Sequence, residues 1–123
     1  MGISVERDDD RKRFTAVATS ALTLAEILRF MSTHRVGAYR TYALLFDVGT
    51  HFQLSSADVR TLGKHVESLT HREGERGRTA VVAADDETFQ KLEVYETAAR
   101  TAGITLRRFR DTASAQQWLQ SGG

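Results

Sequence analysis

The sequence predicts a single α/β domain built on a mixed, mostly parallel five-stranded sheet, with about four helices and an N-terminal β-hairpin. Three observations carry that expectation. Segments 3–7 and 14–18 alternate apolar and polar residues around a polar connection, the pattern of an antiparallel hairpin. Nearly continuous apolar runs at 42–48 and 79–84 have the length and character of strands covered on both faces. Between and after these runs lie segments whose apolar residues recur with helical period, so strands alternate with helices in the order β-β-α-β-α-β-α-β-α. Right-handed crossovers would then place every strand-to-helix turn on one side of the sheet.

The chain, residues 1–123, is read as one domain, since 123 residues suffice to bury about two-thirds of the unfolded surface. A net charge of +1 selects neither nucleic acid nor a membrane through bulk electrostatics, so no nucleic-acid partner is expected. The absence of cysteine excludes disulfides, thiolate metal sites and a cysteine nucleophile, and suits a cytoplasmic location. Residues 1–13 lack the apolar stretch of a signal peptide, and no run approaches the length needed to cross a bilayer.

The local signals follow the chain. The aspartates Asp8, Asp9 and Asp10 read as a solvated hairpin turn, because Asp bonds its own backbone there. Thr23 and Glu26 stand at capping-box spacing, Leu22 and Ile27 at the positions of a hydrophobic staple, and the helix they open should stop near His34. After the run 42–48, Ser55 and Asp58 repeat the capping box and Leu54 and Val59 the staple, ahead of the stripe Val59, Leu62, Val66 and Leu69. His65 flanks that stripe and His71 lies on the opposite side, so both read as surface residues. Residues 70–78 read as a charged, glycine-punctuated loop able to act as a hinge. Asp85 or Asp86 caps the next helix, whose apolar residues (Phe89, Leu92, Val94, Tyr95, Ala98, Ala99 and Ala102) span more than half its circumference. Such a wide stripe fits two-sided burial, a ligand cavity or a homodimer seam. Gly103 stops it, 104–109 form the last strand, Asp111 caps a closing helix, and 121–123 form a fraying tail.

Segment 78–119 resembles the SpoIIAA-like (STAS/SEC14-like) bacterial domain family. The matching residues are the apolar strand from Thr79, the helix opening at Asp85, Tyr95 with Glu96, and an ending of Phe109, Arg110 and Asp111 followed by Ala115, Trp118 and Leu119. The hairpin, Leu24 to Glu26 and Leu45 to Asp47 fit the same scheme. The resemblance implies a STAS-type fold related to anti-sigma-factor antagonists, which are phosphorylated on a serine opening the helix after the central strand. An ungapped match from Asp47 places Ser56 at that serine. Ser55, Ala57 and Asp58 stand where the antagonists carry aspartate, a second hydroxyl residue and glycine.

Function is read from sites. The carboxyl edge of the sheet should carry Asp47, Gly49, Thr50, Ser55, Ser56, Asp85, Asp86 and Asp111, as a recognition surface or as a set of helix caps. Arg107, Arg108 and Arg110 form a small basic cluster, read as solvated side chains. No glycine-rich phosphate fingerprint, His-x-x-x-His pair or Gly-x-Ser-x-Gly elbow occurs, so neither an enzyme, a metal nor a cofactor is expected. The leading expectation is a regulatory module that binds a partner protein or a lipid-like apolar ligand through Leu62, Val66, Leu69, Phe89, Leu92 and Tyr95, and that admits peripheral membrane association. The alternative is a phospho-switch at Ser56.

Overall fold

The computed structural model describes residues 2–74 and 76–121. Strands β1 (Ile3–Asp8) and β2 (Arg13–Ala18) form the expected hairpin, with Ile3 opposite Ala18 and Asp8 opposite Arg13. The Asp8 carboxylate accepts the Arg11 N–H across the turn (3.1 Å). Three parallel pairings then follow chain order: β2 with β3 (Ala43–Gly49), β3 with β4 (Thr79–Ala83), and β4 with β5 (Leu106–Phe109). The crossovers carry α1 (Leu24–His34), α2 (Ser56–Glu73) and α3 (Asp86–Thr101), and α4 (Thr112–Ser121) follows β5.

Because strand order equals chain order, every crossover steps the same way, and crossovers of the usual right hand then put their helices on one face. The packing agrees. Leu44, Phe46 and Val48 of β3 pack with Ile27 and Phe30 of α1, Val59 and Leu62 of α2, and Leu92 of α3. Leu45, Ala80 and Val82 belong to a second cluster with Ala115 and Trp118 of α4. Alternate residues of β3 and β4 thus serve opposite faces, which is why both strands read as unbroken apolar runs.

The helix starts are set locally. Thr23 accepts the Glu26 N–H while Glu26 accepts the Thr23 N–H, and Ser55 with Asp58 repeats the exchange. Leu22 and Ile27 are both buried, as a staple requires. Asp85 accepts the Thr88 N–H (2.8 Å) and Asp111 the Ser114 N–H (2.7 Å); these backbone bonds hold both carboxyls below their ordinary pKa. At the far end of α3, Gly103 takes φ +81°, its N–H bonds to the Arg100 carbonyl, and the Ile104 N–H reaches back to Ala99. Those two bonds make a Schellman stop. Ile104 is spent on it, so the last strand begins at Leu106 and not at 104.

Three expectations are corrected. Residues 70–73 belong to α2, because charged side chains do not break a helix; Gly74, at φ +91°, does. The remainder of the expected hinge, apart from Glu75, which lies outside the described residues, is tied down: the Gly77 N–H bonds to Arg40 and the Arg78 carbonyl accepts the Leu44 N–H. Ser121 closes α4, and the rest of the expected tail, residues 122–123, lies outside the described residues. A 3-10 turn, Gly37–Thr41, also intervenes before β3, and Gly77 rests against it and the Tyr42 carbonyl.

A Cβ at Gly77 would collide with that backbone carbonyl, which cannot swing aside as a side chain can. Gly77→Ala should therefore destabilise the protein by about 1–3 kcal/mol. Urea unfolding followed by circular dichroism checks it; an unchanged midpoint would mean that the link does not dock there.

Candidate functional site

The three helices on one face run back toward the amino ends of the parallel strands, and a cleft lies between them and the sheet there. Met31 and Arg35 come from the end of α1, Leu62, Gly63 and Val66 from α2, and Ala98, Ala99 and Ala102 from the end of α3. Leu44, Thr79 and Leu106 form the sheet side, and Arg76 and Gly77 come from the link into β4. Between them lies a cleft of about 50 Å³, room for a few water-sized groups at about 10–15 Å³ each. It stays open because its walls use small residues where the helices approach. Gly63 faces Ala98 across the α2–α3 crossing, and a Cβ at position 63 would touch the Ala98 Cβ at 3.5 Å, ordinary contact.

Two arginines stand in this largely apolar wall. Arg35 is 4% exposed and Arg76 9%. Arg35 Nη1 donates to the Tyr42 carbonyl, and its guanidinium lies 6.0 Å from the centre of the Phe14 ring. Arg76 Nη2 donates to the main-chain oxygen of Arg35 (3.0 Å), the residue that ends α1. Burial, and then the neighbouring Arg76 charge, lower the Arg35 pKa to about 10, so it remains a cation at neutral pH. Tyr95 lines the same cleft with its ring 5.8 Å from that of Phe52; burial raises its pKa to about 12, so the phenol keeps its proton and can donate.

The residues proposed from sequence divide accordingly. Leu62, Val66 and Tyr95 come together in the cleft. Leu92 is wholly buried in the core, Phe89 packs under the Arg108 guanidinium 4.3 Å away, and Leu69 is half-buried; none of these three lines the cleft. Ser56 is exposed as the first residue of α2, while its neighbour Ser55 is the cap. The carboxyl-edge residues sit at the other end of the sheet from the cleft and are largely engaged locally: Asp47 accepts the Gly49 N–H (3.0 Å), Asp85 and Asp111 cap helices, and Asp86 pairs with Arg110. Val94 is 48% exposed, so the wide stripe of α3 is not fully covered within this chain. His65 and His71 are exposed, and His34 packs against Phe14 and Phe30. Among the described residues no group of three or more His, Cys, Asp or Glu is placed to hold a metal ion, and no helix is long and apolar enough to cross a membrane.

Arg35 and Arg76 were missed by the sequence reading because an arginine just past a helix end, or in a charged stretch, looks solvated. The one local hint is Gly77 beside Arg76, a residue that lets backbones approach closely. Arg108 was also misread. It is not solvated: its backbone N–H and Nε both reach the Glu96 carboxylate (3.1 and 3.3 Å), and Nη1 donates to the Phe89 carbonyl (2.8 Å).

Comparison of the chain with protein-family models, curated proteins and solved structures finds no match in any of the three.

Arg108 ties β5 to α3 by charge-assisted bonds at a half-buried position. Arg108→Ala should cost about 2 kcal/mol, and Arg108→Lys, which keeps the charge but not the fork, should recover only part of it. Chemical denaturation of the three proteins decides; equal stabilities would make the contacts incidental.

Proposed function

We propose that this chain is a non-enzymatic binding module of the SpoIIAA-like (STAS-type) class, and that it takes a small, largely apolar ligand in the cleft beneath α1, α2 and α3. The observation that carries the reading is the cleft itself: a space walled by Leu62, Val66, Leu106 and small residues, between α1, the middle of α2, α3 and the sheet. Its described lining includes Thr79 and Tyr95 but no histidine, carboxylate, lysine or serine, so it offers no evident nucleophile–base pair. The volume favours a compact ligand, or a short apolar segment of one, over a long acyl chain. Burial of each methylene there would contribute about 0.8 kcal/mol. The resemblance of 78–119 to SpoIIAA-like domains favours a regulatory role over a metabolic one.

Titration of isotope-labelled protein with 1-propanol and with propionate, followed by NMR, tests this reading. Either ligand should shift the resonances of Leu62, Val66 and Tyr95. Val66→Phe, which fills the half-buried α2 side of the cleft, should weaken binding about tenfold or more with little change in melting temperature. Shifts scattered over the surface, or no saturable shifts with either compound, would refute it.

A second reading keeps Ser56 as a phosphorylation site, favoured by its exposure in the first turn of α2, where outward-facing amides suit an anion. Asp58, which caps the same turn, opposes it by charge repulsion. If Ser56 is the site, phosphopeptide mapping after incubation with a serine kinase and ATP should find phosphate there and lose it in Ser56→Ala. Equal phosphorylation of that variant would eliminate the site.

A further inference from the structure

Strand β1 is an edge of the sheet, paired with β2 alone. The Thr19 N–H donates to the Gly2 carbonyl, which makes Gly2 and Thr19 a hydrogen-bonded pair of the antiparallel ladder. Such pairs alternate. Ser4, Glu6 and Asp8 therefore direct their main-chain groups to β2, while Ile3, Val5 and Arg7 direct theirs outward, open to another strand. The opposite edge is treated differently, since at β5 the Arg108 N–H is taken by the Glu96 carboxylate. The outward residues of β1 also turn their side chains to the helix face. Ile3 and Val5 pack partly against the core there, and the Arg7 guanidinium lies 4.7 Å from the centre of the Tyr39 ring. Beside Val5 and Arg7 is a recess of about 210 Å³ whose wall includes Phe14, His34 and Tyr39.

We propose that this edge is filled by β1 of a second copy of the chain, antiparallel, about a two-fold axis that passes through Val5 perpendicular to the sheet. The proposal is independent of the cleft, and it places the seam at β1 instead of along the exposed stripe of α3. Charge selects the register. With the axis at Val5, Val5 faces Val5, Ile3 faces Arg7 and Ser4 faces Glu6, so every outward group of β1 pairs and no like charges are opposed. Centred on Glu6, the two strands would oppose carboxylates; centred on Arg7, they would oppose guanidiniums. Centred on Ser4 or Ile3, the overlap shortens and Arg7 loses its counterpart within β1. In the register through Val5, the half-buried Ile3 of each copy is brought to the recess beside Arg7 and Tyr39 of the other. On the other face the Ser4 hydroxyl opposes the Glu6 carboxylate, a donor against an acceptor. Arg29 and Thr33, on the neighbouring flank of α1, are exposed and can turn aside as the second copy approaches. A foreign strand would meet the same amides, but this self-complementary order of charges favours a second copy.

Sedimentation equilibrium of the full chain should show a reversible dimer. Val5→Pro removes an outward donor at a position where an edge strand tolerates proline, and should weaken that dimer about tenfold or more while the circular dichroism stays that of a folded protein. A second measurement decides the matter should that variant not fold. The chain has no cysteine, so Ser4→Cys and Glu6→Cys each introduce a single thiol. Opposed residues of a non-hydrogen-bonded pair lie about 4.5 Å apart at Cα, within reach of a disulfide. Oxidation of an equal mixture of the two proteins should give the mixed disulfide in about tenfold or greater excess over either symmetric one, read from intact mass. Disulfides in statistical proportions overturn the proposal, as does a dimer unaffected by a folded Val5→Pro or a monomer at every concentration. A monomer whose Ile3, Val5 and Arg7 amides are protected from exchange by an alternating valine–threonine peptide would overturn the second copy in favour of a foreign strand.

Discussion

Gly77 lies against the Tyr42 carbonyl with no room for a side chain, and much of this molecule's particular character depends on that approach. It brings the link after α2 down onto the entry to β3, where the Gly77 N–H bonds to Arg40 and the Arg78 carbonyl to Leu44. Arg76 is thereby carried inward and its guanidinium meets the end of α1. Arg35, which ends that helix, turns to the Tyr42 carbonyl in the same corner. A single backbone contact between segments some thirty-five residues apart thus assembles the charged part of the cleft.

The apolar part follows from topology. With strand order equal to chain order, α1, α2 and α3 share a face and together cover the amino ends of the strands, where the cleft lies. Parallel sheets more often bind ligands at the carboxyl end, where helix N-termini offer free amides. Here that end is tied up by its own caps and turns at Ser55, Asp47, Asp85 and Asp111. At the amino end the helix carbonyls carry partial negative charge, which makes it a favourable place to hold cations. Arg76 on the Arg35 carbonyl is one expression of that.

Each feature that was legible in the chain depends on neighbours a few residues away. Thr23 with Glu26, Ser55 with Asp58 and the stop at Gly103 are settled within one helical turn, so their spacing alone reveals them. The unbroken runs in β3 and β4 likewise announce two covered faces. Leu62, Val66 and Tyr95 were recognisable as apolar helix residues, but nothing local separates them from Leu92, which has the same pattern and lies sealed in the core. Arg108 shows the same limit from the polar side, since its partners Glu96 and Phe89 belong to another element.

Periodicity, caps and glycine stops therefore determined the elements, their order and the parallel sheet, because these depend on short-range geometry and on the general hand of crossovers. Which end of the sheet would hold a cleft, and which of seventeen basic residues would be buried in it, was decided by tertiary structure alone. Burial of a charge is a property of the surfaces brought around it. Arg35 and Arg76 acquire theirs only when α1, the link into β4 and the entry to β3 close on one another.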